Sequence, residues 1–370
     1  MRSIKTIFGF LSAFCLAVTV SSSAGYAEQI TKERVMLSAT IDGDTYALET
    51  QILRPPGAGP FPLAVVTHGS PRGSSGRRRM TTNGYVPQAM EFAHRGYVTA
   101  IVLRRGYGKS EGHWFEEYGD CDFPYYDKAA ATTAEDILGA ITELKKRADV
   151  DATRILVVGK SAGGIGAVAL AAKNPPGILA AINFAGGRGS RSHGEVCSEG
   201  ELVDAFEKFG ETARIPTLWI YAENDGFFNP RLARKFHEAF IGAGGIAELI
   251  QTGPYGREGH NLFNKGGIER WRPMVDDFLR KTGLPTWDTP PPLPTVPNIA
   301  PPEGLSERGK ERWLRYLDSA DNKAFAKSRS SSYFGWRTGR NTIEEAKKDA
   351  LGYCKADDCE VISVNGSAPN

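Results

Sequence analysis

The sequence predicts an α/β protein: a mainly parallel central sheet with helices on both faces, followed by a small α+β unit. Three observations carry this. Unbroken apolar, β-branched runs at 61–68, 98–104 and 154–159 alternate with segments of helical periodicity, the pattern of strands buried on both faces. The stretch RILVVGKSAGGIGAVALAAK (154–173) passes from strand to helix within a few residues, with Ser161 at the turn. Between 284 and 304, proline is too dense for helix or sheet to persist, which sets the last residues apart as a separate unit.

The elements follow in order. Runs 34–39 and 45–53 flank the turn signal Ile41-Asp42-Gly43-Asp44 and read as an antiparallel hairpin. FPLAVVTH is a strand, VPQAMEFAHRG a helix closed by Gly96, and VTAIVLR a strand. A long helix at 127–147 opens on Asp127 and ends on Lys145, Lys146 and Arg147, the charge order a helix dipole favours. After the strand RILVVG comes a helix at 164–173, then strands at 179–186 and 216–222. A helix at 230–245, a strand at 246–251 and a helix at 267–283 complete the large domain. Beyond the spacer, 310–328 has helical spacing, 331–336 fits a strand, 342–355 is a helix and 359–366 a strand. Thr342 with Glu345 three residues on is a capping-box start.

The boundaries expected are a signal peptide at 1–27, a catalytic domain at 28–283, a proline-rich linker at 284–304 and a small C-terminal domain at 305–370. Arg2 and Lys5 precede an apolar stretch, and Gly25-Tyr26-Ala27 is a small-x-small cleavage site. That apolar stretch is too short to span a bilayer, so export to the periplasm or outside, with no membrane attachment afterwards, is expected. Removing it leaves Cys121, Cys197, Cys354 and Cys359, an even count that suits disulfides in an oxidising compartment. Of three connectivities, Cys354–Cys359, which staples a thin small core, and Cys121–Cys197 are favoured. The spacing of Cys and His fits no metal site, no cofactor is expected, and a net charge of +2 gives no reason to expect a nucleic-acid partner.

The chemistry centres on Ser161. Gly159-Lys160-Ser161-Ala162-Gly163 between strand and helix is the context of a nucleophile elbow, whose crossing backbones leave no room for side chains at the flanking glycines. Gly108-Lys109-Ser110-Glu111-Gly112 matches the same pentapeptide, but no helix follows it, so Ser110 reads as a turn residue. A serine nucleophile needs a base and an orienting acid, supplied here from loops after later strands. Asp225 follows the strand at 216–222, with Glu223 as the fallback acid, and His260 follows the strand at 246–251. The order Ser161, Asp225, His260 is the serine-acid-histidine order of hydrolase sheets. Oxyanion donors are expected from the backbone N–H of Ala162 and of Ser70, with His68 structural. Gly69, Tyr107 and Trp114 are candidate substrate contacts.

The segments HGS at 68, RRGYGKSEG at 104, GKSAGG at 159, YAENDGFF at 221 and GHNLF at 259 resemble, in order and spacing, the dienelactone hydrolase and prolyl-oligopeptidase-like group of the α/β-hydrolase superfamily. The resemblance spans about 33–283 and implies an α/β-hydrolase fold and a serine hydrolase. Dienelactone hydrolases proper use a cysteine where this chain has Ser161, and prolyl oligopeptidases carry a large propeller for which this chain has no space. The C-terminal unit resembles small secreted bacterial modules only faintly.

Two insertions, 111–126 and 186–215, should sit over the serine, and a Cys121–Cys197 bridge would join them as a short lid. The first is aromatic; the second contains a helical stretch at 201–210. Arg72, Arg77, Arg78 and Arg79 follow the oxyanion segment; such a run is ordinarily a solvated face, or else one guanidinium captures a substrate carboxylate. The expected function is an exported hydrolase of small esters acting through an acyl-enzyme. The alternatives are a serine peptidase taking short peptides and a non-catalytic hydrolase-fold binding protein.

Overall fold

A twisted eight-stranded sheet forms the frame on which the large insertions and the small C-terminal unit are mounted. The structure, a computed structural model, describes residues 29–287, 292 and 297–369. The expected signal peptide, its cleavage site and part of the linker lie outside the described residues. The chain runs β1 (Thr31–Ile41), β2 (Asp44–Arg54), β3 (Phe61–Thr67), α1 (Ser74–Arg78), α2 (Val86–His94), β4 (Val98–Val102), α3 (Tyr126–Leu144), β5 (Val150–Lys160), α4 (Ala162–Ala172) and β6 (Ile178–Phe184). It continues through β7 (Ser190–Ser192), β8 (Glu195–Val196), α5 (Glu199–Thr212), β9 (Thr217–Ala222), α6 (Pro230–Gly242), β10 (Ala247–Thr252) and α7 (Ile268–Lys281). Beyond residue 297 come α8 (Glu307–Asp318), β11 (Ala324–Ser328), β12 (Phe334–Arg337), α9 (Ile343–Cys354) and β13 (Cys359–Val364).

Strand order is β1-β2-β4-β3-β5-β6-β9-β10. The β1–β2 hairpin and the β2–β4 pair are antiparallel, and every pair from β4 to β10 is parallel. This is the mainly parallel sheet that the alternating pattern predicts, in the α/β-hydrolase arrangement that the resemblance implies.

The unbroken apolar strands divide their side chains between two layers. Leu63, Val65, Ile155 and Val157 pack with α3, α4, α5 and α6, while Ala64, Val66, Leu156 and Val158 pack with α2 and α7. Helix α4 is buried on all sides because small residues let its neighbours approach: a Cβ on Gly166 would lie 2.1 Å from Thr133 Cγ2.

The helical reading of 310–328 is corrected. Helix α8 stops at Asp318, Asn322 takes a left-handed φ of 53°, and 324–328 becomes β11, the central strand of a three-stranded sheet. Ala324, Phe325 and Ala326 are all fully buried there, so tertiary burial outweighs alanine's helix preference. The short helix α1 falls within the arginine-rich stretch after β3, and the β7–β8 hairpin within the 186–215 insertion. Both disulfides, Cys121–Cys197 and Cys354–Cys359, are present. Loop 338–341 of the C-terminal unit touches the large domain: Thr81 donates to the Gly339 carbonyl, Asn83 to the Arg340 carbonyl, and Arg34 to Asn341 Oδ1 at 3.1 Å.

Candidate active site

Ser161 sits where β5 turns into α4, at φ 55° and ψ −121°, a conformation L-residues adopt only under constraint. The constraint is visible on all sides. Its N–H donates to the Phe184 carbonyl at 2.9 Å, and its carbonyl accepts from Gly164 at 2.8 Å and Ile165 at 3.1 Å. The glycines at the crossing are required: a Cβ on Gly159 would lie 2.1 Å from the Gly163 carbonyl oxygen, and one on Gly163 2.6 Å from that of His68. Gly69 faces the serine so closely that a Cβ there would lie 3.0 Å from Ser161 Cβ.

Asp225 and His260 are brought together by parallel pairing of β9 and β10, whose carboxyl ends release both loops on the same edge. His260 Nδ1 lies 3.1 Å from Asp225 Oδ2 and 3.2 Å from Oδ1. Asp225 Oδ1 also accepts from the backbone N–H of Phe227 at 2.8 Å and Phe228 at 3.0 Å, which fixes the carboxylate independently of the histidine. The imidazole is stacked on Phe227, centroids 4.0 Å apart, and edge-on to Phe228. Glu258 ties the loops: its Oε1 accepts from His260 N–H at 3.1 Å and Gly226 N–H at 2.8 Å. The fallback acid Glu223 is exposed and has no bond to His260. Ser161 and His260 are not hydrogen-bonded to each other. Burial pulls the neighbouring Lys160 ammonium down to about 8.

His68 is fully buried and accepts the Arg104 N–H on Nε2 at 3.1 Å, so its Nδ1 carries the proton, 2.8 Å from the Gly69 carbonyl. Burial, aided by the Arg104 charge, holds its pKa well below the usual histidine range. It is a neutral strut for the 68–70 loop. Tyr107, expected to touch substrate, is instead buried behind that loop. Its hydroxyl lies 2.8 Å from Ser70 Oγ and 2.8 Å from Glu116 Oε2, and accepts from Trp114 Nε1 at 2.9 Å. Ser110 Oγ bonds the Leu103 carbonyl and the Glu49 N–H, at 2.7 and 2.9 Å, the work of a turn residue.

Glu116 anchors a buried cluster that sequence reasoning missed. It pairs with both Arg104 and Arg188, and Arg104 Nη1 reaches Thr67 Oγ1 at 2.6 Å and the His68 carbonyl at 2.7 Å. Burial pushes the Glu116 carboxyl up, but the two guanidiniums prevail and hold it far below the usual range.

Beside Ser161 opens a cavity of about 330 Å³. Ser70, Ser161, Ala162 and Trp114 line it, as do Arg72, Arg77, Arg188, Arg191, Phe227 and Phe228. Arg78 and Arg79 do not. The β7–β8 hairpin roofs the cavity, tied down by the Cys121–Cys197 bridge and by Gly194 N–H donating to the Gly226 carbonyl at 2.7 Å. Phe123, 82% exposed, points away from it, whereas Trp114 and Tyr118 line it. Nothing local in the sequence marks Arg188, Arg191 or Glu116, because two insertions must meet across the sheet before these residues share a site. Among the described residues no group of three His, Cys, Asp or Glu side chains is placed to hold a metal.

The family described as X-Pro dipeptidyl-peptidase (S15 family) matches residues 42–226, half of the chain. That span holds Ser70, Ser161 and Asp225 and ends before His260. No curated protein matches the chain. Among solved structures, a Klebsiella pneumoniae protein named as a dienelactone hydrolase is 20% identical, covers 66% of this chain and 97% of its own, and has a TM-score of 0.43. A Pyrococcus furiosus esterase is 17% identical, with coverage of 69% and 93% and a TM-score of 0.48. Porphyromonas gingivalis dipeptidyl peptidase 4 is 17% identical, with coverage of 69% and 36% and a TM-score of 0.49.

Proposed function

This chain belongs to the S15 family of serine hydrolases in the α/β-hydrolase superfamily, and on that premise we propose that it cleaves an ester or related acyl bond through Ser161, His260 and Asp225. The observation that carries the reading is a serine held in a strained turn beside a buried Asp225–His260 pair. With Nδ1 committed to Asp225, the imidazole presents Nε2 to the serine proton. Ser161 Oγ bonds to the acyl carbon, the carbonyl electron pair moves onto oxygen, and the N–H groups of Ala162 and Ser70 receive that charge. Neither N–H is taken by another described residue. Collapse breaks the bond to the leaving alcohol, which takes the proton from His260 Nε2. Water, deprotonated by the same nitrogen, then releases the acid and restores the serine.

A fluorophosphonate probe tests this: wild type should label and Ser161→Ala should not, and equal labelling overturns the assignment. A second reading, cleavage of peptide bonds, draws on the family description. Turnover of p-nitrophenyl acetate against aminoacyl- and prolyl-nitroanilides separates the two, the ester reading requiring the acetate to be the faster substrate. Export is supported by the leader-like sequence and by two disulfides. Among the described residues no helix is long and apolar enough to cross a membrane. A mature N-terminus at Glu28 is expected from sequencing of the secreted protein.

A further inference from the structure

The cavity beside Ser161 is lined by four arginines and by no aspartate or glutamate. We propose that it binds a substrate with a free carboxylate on its acyl part, a monoester of a dicarboxylic acid rather than a neutral ester or a peptide with a free amino terminus. The proposal rests on the serine-hydrolase reading and deepens it.

The charges are real and largely unspent. Arg72 donates from Nε to the Ser190 carbonyl at 2.7 Å and from Nη2 to Ser190 Oγ at 3.1 Å, neutral acceptors that fix the fork without cancelling it. Arg77 is held likewise, Nη1 on the carbonyls of Pro71 and Arg72, with its guanidinium 3.7 Å from the Trp114 ring centroid. Arg188 has an acid partner, but Glu116 is shared with Arg104, so two buried cations have one buried anion between them. The Nε of Arg188 is buried and has no acceptor among the described residues, so its guanidinium is not fully satisfied by Glu116. Arg191 reaches Glu195 only at 4.0 Å on an exposed face.

Arg72 and Arg191 are exposed at the cavity mouth, as Arg78 and Arg79 are outside it, but the other two cavity arginines are buried. Arg77 is 9% exposed and Arg188 5%, and burying guanidinium charge is unfavourable unless an anion completes it. A carboxylate, planar and two-pronged, fits that fork geometry. An ammonium would be repelled by all four, so the same wall selects against the free amino terminus that a dipeptidyl-peptidase substrate carries. Trp114, Phe227 and Phe228 supply the apolar wall for the carbon chain between carboxylate and ester.

The test compares kcat/KM for the p-nitrophenyl monoester of adipic acid with that for p-nitrophenyl hexanoate, a neutral chain of equal length, alongside fluorophosphonate labelling of the same preparations. The proposal expects the adipate monoester to be preferred at least about tenfold at low salt, with the preference shrinking as sodium chloride screens it. In Arg72→Gln and in Arg77→Gln the ratio should fall toward one in protein that still labels at Ser161. In the amide series, succinyl-Ala-Pro-nitroanilide should outrun free Ala-Pro-nitroanilide. Labelled enzyme that turns over both esters equally, or prefers hexanoate, overturns the carboxylate proposal and leaves the serine-hydrolase reading standing. Absence of labelling and of turnover overturns that reading and the proposal with it.

Discussion

Replacing Glu116 by glutamine is the sharpest perturbation of the buried cluster. The carboxylate lies between two guanidiniums whose side chains are 0% and 3% exposed, and it also takes the Tyr107 hydroxyl at 2.8 Å. Glutamine keeps the shape but carries no charge and turns an N–H₂ toward one of two cations. Arg104 and Arg188 are then buried without their shared counter-ion. Removing one partner of a buried ion pair costs about 3–5 kcal/mol, a large part of the roughly 5–15 kcal/mol that separates folded from unfolded chains. Urea unfolding followed by tryptophan fluorescence at pH 7.5 should show a loss of that order. Because Tyr107 bridges Glu116 to Ser70 in the proposed oxyanion segment, kcat on p-nitrophenyl acetate should fall in the fraction that remains folded. A loss under about 1 kcal/mol with unchanged kcat would refute the view that this carboxylate compensates both arginines and positions the 68–70 loop.

Asp225→Asn should keep its oxygen on the Phe227 and Phe228 N–H groups and turn its amide toward His260 Nδ1, shifting the imidazole proton to Nε2. On the precedent of acid-to-amide changes in such triads, kcat should drop about 10⁴-fold, and a drop under tenfold contradicts the role. His68 makes stability acid-sensitive: its folded pKa lies well below 6.5, so the unfolded chain binds the extra proton and stability falls as pH drops below about 6.5. The loss should approach about 1.4 kcal/mol per pH unit and be absent in His68→Gln; equal unfolding free energies from urea titrations at pH 5.5 and 7.5 would disprove it. Breaking Cys121–Cys197 by a double serine substitution should cost about 2–4 kcal/mol and raise KM by loosening the β7–β8 roof, whereas an unchanged unfolding midpoint contradicts this.

The frame was legible because β3, β4 and β5 are buried on both faces and therefore write themselves as unbroken apolar runs. Ser161 could be told from Ser110 because only one of them has a helix waiting behind it. Asp225 and His260 could be matched because parallel strands deliver successive loops to one edge. What escaped is non-local. Residues 324–328 look helical until α9 and two neighbouring strands bury them. Arg77 reads as one of a solvated run until Trp114, 37 residues on, lies against it. Arg188 and Glu116 are 72 residues apart, and their pairing exists only once both insertions have folded over the sheet.

The contacts of loop 338–341 have a mechanical consequence. They grip Thr81 and Asn83, just ahead of Tyr85, whose hydroxyl accepts the Gly69 N–H at 3.2 Å beside the serine. The C-terminal unit is thus a splint on the outer end of a lever whose inner end is the 68–70 loop. A chain cut after Gly304 would retain Ser161, Asp225 and His260 but lose the clamp that keeps that lever still.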